Sequence, residues 1–404
     1  MTTIELKDYR VCQKALLEPD LKQALYDEGA VLMRKVLVTL HGEEHRARRV
    51  LEMRVFRRNF FRHYEHEVIP SVFEEVVQPF LAAGKADVVD FSYRVMVYLA
   101  VAFAGIDLQT RSRSEFDDLV RMLRMFGVAA TLGQSKLDRE AAKKEIAATL
   151  GEFDEGFFTP SARRRQALID RFNAGEMGED ELPMDVLTVL LRNEDKLDLV
   201  RDMMLRETAF YFLAGAHTSV HSLGHVMHHL LTWCEEHPGD RQKLIDDTAL
   251  IQRFVHESFR LHPSSPVSKR TALADVEFLS GDKARSGDTV VISLQQANRD
   301  TSIFGNDAAE FNPYRETPRG VTETGITFGI GMHSCLGKNL AAGTLPKPRE
   351  TIDPEKRQLG MVAWVAHALL KCGAVKDPDN PGHIDPTITR ETWADYPILF
   401  SENA

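Results

Sequence analysis

Cysteine is scarce in this chain: Cys12, Cys234, Cys335 and Cys372 are all it has, scattered through 404 residues. That scatter excludes a disulfide framework and the paired-cysteine zinc patterns, and it suits a reducing cytoplasm. Long apolar runs are missing too. The most apolar stretch, Val95 to Phe103, is far short of the roughly 20 residues needed to span a bilayer, so it reads as a buried helix. The amino-terminal stretch is charged throughout and has neither the apolar core nor the cleavage pattern of a signal peptide. Together these absences predict a cytoplasmic chain with no membrane anchor. Positive charge is in deficit, with 50 Lys and Arg against 60 Asp and Glu. The resulting net charge of −10 argues against general attraction to nucleic acid. No internal repeat or low-complexity linker divides the chain, so residues 1–404 read as a single domain with 43% hydrophobic residues for its core.

What the chain does have is one cysteine set among closely spaced glycines, in Phe328-Gly329-Ile330-Gly331-Met332-His333-Ser334-Cys335-Leu336-Gly337. Gly331 and Gly337 are expected to take backbone conformations closed to other residues and to let a flat ligand approach the main chain. The amide groups and positive helix end after Cys335 favour a negative sulfur, so the sulfur is expected to be ionised and bound to a metal. Taken alone, the same residues also fit an ordinary tight turn with a small buried cysteine.

The ordered pattern Phe328, Gly329, Gly331, His333, Cys335, Gly337 resembles the haem-binding loop of the cytochrome P450 family. The resemblance runs from about His41 to Ala341. It implies a mainly α fold with a small β region, haem b (iron protoporphyrin IX) as cofactor, and Cys335 as axial iron ligand. Three further motifs carry it.

The first lies in an arginine-rich segment from Glu43 to about His66, which reads as one helix. Its arginines suit either a solvated basic face or contacts to haem carboxylates and an acidic electron donor. His45 and Arg49 lie one turn apart, and the resemblance implies that both contact a haem propionate. Arg270 and His333 match the positions that bind the other propionate. The remaining arginines are left unassigned.

The second motif sits on a segment from about Lys196 to Glu236 that contains no proline, long enough for one helix of around 40 residues. At its middle, Ala214 and Gly215 leave room for a cofactor face, and Thr218 can bond to its own helix carbonyls and open the winding. The resemblance makes this the oxygen-binding groove, with Thr218 supporting proton delivery and Phe210, Leu213, Ser265 and Val267 facing the substrate. His217 stands where the family usually has a carboxylate, similar to the variant of sterol 14α-demethylases. It reads either as a proton relay or as a residue turned away to bond a neighbouring helix. His217, His221, His225 and His229 recur every fourth residue, the spacing of a helix-borne metal pair, but no Asp or Glu lies among them to complete a hydrolytic centre.

The third is Glu257-Ser258-Phe259-Arg260, a pair sharing one helical face, which the resemblance buries and joins to Arg315. Between these motifs, Val276–Leu279 and Thr289–Leu294 read as short strands, and about Arg113 to Asn173 reads as two amphipathic helices joined near Gly133. In the family these helices form a lid over the substrate channel.

Two departures stand out. Only about 40 residues precede His41, which predicts a shortened amino terminus with part of the β region missing and residues 290–294 at an unpaired sheet edge. Gly343, Pro346 and Pro348 would break the helix after the cysteine, which predicts an altered segment near 343–360. The activity implied is oxygen-dependent hydroxylation of an apolar small molecule, such as a steroid, terpenoid, aromatic or fatty-acid-like compound. The implied partner is a ferredoxin-type electron donor. The alternatives are a peroxide-driven or redox-neutral haem-thiolate enzyme, and a non-catalytic haem-binding sensor or carrier.

Overall fold

Arg201–Glu236 forms an unbroken helix of 36 residues, roughly 54 Å long, and the molecule is built around it. The computed structural model describes residues 2–56, 58–345 and 358–401, without the side chains of residues 58 and 59. The winding starts five residues later than its lack of proline alone predicts, because Asp198 takes a φ of 47° and Val200 is extended. Pro238 stops it at the other end. Along it packs the helix Val88–Ala104, which contains the Val95 to Phe103 stretch and is apolar on nearly every side. Asp87 caps this helix by accepting from the Val89 and Asp90 amides, and Gly105 ends it at a φ of 91°. Burial on all faces explains why the sequence there shows no amphipathic stripe.

The arginine-rich helix is shorter than its composition suggests. It spans Gly42–Glu52 and gives way to tight turns through Phe56, with Val55 dropping into the core. Arg113–Thr131 and Arg139–Phe153 are the two expected amphipathic helices, and the second continues through a wide turn into Thr159–Asn173.

The amino terminus overturns the expectation of missing strands. Thr3–Leu6 and Leu21–Gln23 are both strands, separated by the helix Tyr9–Leu16. They complete a four-stranded sheet in the order Thr3–Leu6, Thr289–Ser293, Val267–Ala272, Leu21–Gln23. Thr3 to Leu6 pairs in parallel with Thr289 to Ile292, while Val267 to Thr271 pairs antiparallel on the opposite side. Residues 290–292 are therefore paired on both sides, Ser293 pairs only with Val267, and Leu294 starts a short helix. A compact arrangement achieves this: the eight-residue helix between the strands buries Tyr9, Cys12 and Ala15 beneath the sheet, together with Leu6, Val290 and Ile292.

After the cysteine loop the helix Lys338–Ala342 is only five residues long, and Gly343 leaves it at a φ of 64°. Residues 346–357, where most of the inserted segment falls, lie outside the described residues. The chain leaves and returns at one point. Thr344 N–H donates to Gln358 C=O at 2.9 Å, and the Gln252 amide donates to the carbonyls of Ala342, Gln358 and Leu359. The helix Met361–Lys371 then continues into the core. Three further strands, Lys85–Asp87, Pro397–Phe400 and Ala374–Lys376, form a second small sheet. Among the described residues, no helix is long and apolar enough to cross a membrane.

Candidate functional site

A cavity of about 290 Å³ lies between the long helix, the arginine-rich helix, the four-stranded sheet and the cysteine loop. Gly329 and Gly331 bend that loop with φ values of 62° and 73°, conformations that favour glycine. Cys335 N–H closes it by donating to Phe328 C=O at 2.8 Å. Gly337 differs from expectation. Its φ of −84° is open to any residue, so no special backbone conformation calls for glycine there.

The Cys335 sulfur opens onto the cavity, although dense protein surrounds it. Burial pushes its thiol up from the ordinary value, and the Gly337 and Lys338 amides with the charges of Arg49 and Lys338 pull it only partly back. The expected free thiolate is therefore not maintained by the protein alone. A metal cation held by this sulfur would supply the missing positive charge, because a coordinating thiol is deprotonated outright. Phe328 stands beside the loop, edge-on to Phe259 at 5.4 Å.

Four basic side chains converge on the same cavity: His45, Arg49, Arg270 and His333. The alternation of strand Val267–Ala272 turns Ser268, Arg270 and Ala272 inward together. The rings of His45 and His333 lie 4.6 Å apart, and His45 Nε2 and both nitrogens of His333 have no protein partner. Arg49 donates to the carbonyl and hydroxyl of Ser334 at 2.6 and 3.1 Å, bracing the cysteine loop. Burial lowers His45 to about 4, His333 to about 3 and Arg270 to about 10. Among the described residues, no Asp or Glu lines this cavity. Buried donors without acceptors, gathered around a thiol, fit a flat ligand that carries a metal at its centre and carboxylates at its rim. Haem has that shape and charge.

On the opposite wall, Phe210, Ala214, Gly215 and Thr218 face the cavity, joined by Ser265 and Val267. Thr218 Oγ1 donates to Ala214 C=O at 2.9 Å, the predicted bond to its own helix. A Cβ at Gly215 would meet Phe103 Cζ at 1.8 Å, so the gap left by glycine is occupied by the Phe103 ring. Leu213 is a correction to the sequence reading, and so is the relay reading of His217, whose alternative of turning away holds, since neither residue lines the cavity. Leu213 is in the core. His217 packs on Gly127 across the helix and bonds His221, Nε2 to Nε2, at 3.1 Å. Successive helical residues are about 100° apart, so Thr218 and His217 do not share a face.

The other histidines of the repeat also have protein partners. His225 Nε2 approaches Glu391 C=O at 3.1 Å, and His229 Nδ1 approaches Ser258 Oγ at 3.1 Å. Burial lowers all four from the ordinary histidine value, His217 and His225 to about 3. Unfolded histidine takes its proton near 6.5, so below that pH the unfolded chain binds more protons and stability falls as pH falls. Each such residue contributes up to about 1.4 kcal/mol per pH unit. Glu207, pushed up to about 8 by burial, works in the opposite direction and offsets about one of them. The urea unfolding midpoint is therefore expected to drop steeply between pH 6.5 and 4.5, and an unchanged midpoint across that range would refute the placement.

The third motif forms a buried network. Arg260, fully buried, makes two bonds of 2.7 Å to Glu257, and Arg315 Nε reaches the same carboxylate at 3.1 Å. Arg260 also donates to the carbonyls of Asn298 and Ala308. Asn298 ties the network to the cysteine loop by donating to Arg260 C=O and Thr327 Oγ1 and accepting from Ile326 N–H. Sequence reasoning missed a second network, in which Arg48 pairs with Glu52 and Glu207 and Tyr211 donates to Glu52 at 2.7 Å. The spacing of Arg48 and Glu52 was its only local signal.

The cytochrome P450 family model matches residues 20–345. The chain belongs to the cytochrome P450 family. This P450 is similar to nocardicin C N-oxygenase of Nocardia uniformis subsp. tsuyamanensis, 28% identical over 83% of the chain and 77% of that protein. It is 26% identical to the biotin biosynthesis cytochrome P450 of Bacillus subtilis (strain 168), over 62% of each. Against cytochrome P450 734A1 of Arabidopsis thaliana it is 29% identical over 54% of the chain, and it spans only 42% of that protein's length. Among solved structures, CalO2 superposes with a TM-score of 0.74 at 20% identity, covering 99% of this chain and 91% of that one. CYP109E1 from Bacillus megaterium in complex with testosterone gives 0.72 at 17% identity, covering 98% and 93%. At these identities the superpositions establish the fold.

Proposed function

We propose that this P450 is a monooxygenase that inserts one atom of dioxygen into an apolar small molecule. The observation that carries the reading is a single cavity with the Cys335 thiol on one wall, Thr218 on the other, and an acid-free basic quartet between them. Cys335 would hold the iron of haem b through its sulfur, and His45, Arg49, Arg270 and His333 would bind the haem carboxylates. Haem iron, when bound, supplies oxygen activation, with two electrons and two protons turning dioxygen into one product oxygen and one water.

The chain's own residues supply position and protons. Phe56, Phe103 and Phe210 give the substrate side an apolar surface, and Ser265 and Val267 border it from the sheet. Thr218 keeps a hydroxyl at the cavity wall while bonded to Ala214. The electron donor in this reading is a ferredoxin-type protein, which the exposed Arg46 and Arg54 suit through charge. A single domain over 1–404 is part of the reading, supported by a cavity that draws on residues from Leu16 to Met361. So is a cytoplasmic setting, supported by four free cysteines.

The test is a spectral screen of the haem-loaded protein against steroids, terpenoids, aromatics and fatty acids, scored by the ligand-induced spin-state shift. The best compound is then supplied with ferredoxin, ferredoxin reductase and oxygen. Donor-dependent oxygen uptake with an oxygenated product is the expected result. Turnover with peroxide alone, or ligand binding without turnover, would overturn the monooxygenase reading.

A further inference from the structure

Two cavities share the side chains of Ser222 and Ser264. One is the large cavity that holds the candidate site. The other, behind the long helix, has about 10 Å³ of room, close to that of one water molecule, and is walled by His221, His225, His262, Arg390 and Glu391. Ser222 Oγ and Ser264 Oγ are 2.9 Å apart, and Ser264 Oγ donates to Thr218 C=O at 3.1 Å. The two hydroxyls thus form the partition between the cavities, directly beside Thr218.

Behind the partition the walls are polar and incompletely bonded. His221 Nδ1 and Arg390 Nε are buried without a protein partner. His225 stacks on His262 at 4.1 Å, and His262 Nδ1 makes a long 3.5 Å contact with Glu391, whose side chain is 51% exposed. Polar walls around a space of this size favour an ordered water, because buried polar atoms otherwise remain desolvated at a cost.

His217, turned away from the large cavity, leaves proton supply on the Thr218 side without the residue that the sequence suggested. We propose that a water in the second cavity connects Glu391 and the buried histidines to Ser222 and Ser264, and that protons reach the Thr218 wall of the large cavity by this route. In each transfer a hydroxyl releases one proton toward the large cavity and takes one from the group behind it. The side chains end unchanged, and the net movement is one proton from solvent through Glu391. The route rests on the functional reading above. Ser222 and Ser264 are relay residues in it, and Glu391 is its solvent end.

Two measurements test it. A high-resolution crystal structure of the haem-loaded protein is expected to show a water in the second cavity within hydrogen-bond reach of Ser222 or Ser264. A dry cavity overturns the proposal. With ferredoxin, its reductase and the compound chosen by the spectral screen, Ser264→Ala is expected to cut product formation on the order of tenfold and to divert electrons to hydrogen peroxide. Haem content, the carbon monoxide spectrum and compound affinity should hold, and Ser264→Thr, which keeps a hydroxyl, should restore coupling. Unchanged coupling in Ser264→Ala overturns the route while the monooxygenase reading stands. A wild-type protein that shows no thiolate-type carbon monoxide spectrum overturns both.

Discussion

Cys335→Ala protein, reduced under carbon monoxide, is expected to lose completely the red-shifted absorbance band that thiolate ligation produces. The substitution removes the sulfur and leaves the loop's internal bonds intact, since Cys335 contributes its backbone N–H to Phe328 and Arg49 braces Ser334. Folding should therefore persist, and with it the basic quartet. No other cysteine substitutes, because Cys12, Cys234 and Cys372 are absent from the cavity lining. Cys335→Ser places a hard oxygen where a soft sulfur stood and is expected to lose the same band. An alanine variant that keeps the band would show that another residue ligates the iron.

Glu257→Ala is expected to be the most destabilising single change outside the cysteine loop. It strands the fully buried guanidinium of Arg260 and deprives Arg315 of one of its two carboxylates. Removing one partner of a buried ion pair costs about 3–5 kcal/mol, a large share of the stability of an ordinary domain. The effect reaches the candidate site because Arg260 is bonded to Asn298, which in turn bonds Ile326 and Thr327 just before Phe328. Loss of haem retention together with a lowered urea midpoint is the expected outcome. Arg315→Ala should cost less, since Asp307 is 41% exposed and water takes over its bond. Arg260→Lys should not rescue the site, because an ammonium cannot reproduce the two parallel bonds to Glu257 together with those to the carbonyls of Asn298, Ala308 and Glu310. Normal haem content and stability in Glu257→Ala would reduce the pair to an ordinary contact.

The amino-terminal sheet shows where counting residues misleads. Too few residues for the usual elements was a sound count, yet Thr3–Leu6 and Leu21–Gln23 each need only a few residues to add an edge to an existing pair of strands. Parallel pairing of Thr3–Leu6 with Thr289–Ser293 joins segments far apart in the chain, and no local pattern announces such a partner.

What the sequence by itself determined is the set of features whose spacing is local. The cysteine between glycines, the His45 and Arg49 pair one turn apart, the Glu257 and Arg260 pair, and the proline-free run that becomes Arg201–Glu236 all depend on residues a few positions apart, so helix and turn geometry alone brings them into register. Only the tertiary structure decided which face of each helix looks inward. Thr218 turned to the cavity and His217 to Gly127 because Phe103 packs against Gly215 on one side and the helix Arg113–Thr131 covers the other. Tertiary packing also set the charges. Arg48 was one arginine among several until Glu52, Glu207 and Tyr211 buried it, and the cysteine thiol rose because burial outweighs the amides that point at it. Burial and desolvation depend on everything within several ångströms, most of it distant in the chain, so side-chain orientation and ionisation follow from the packed fold.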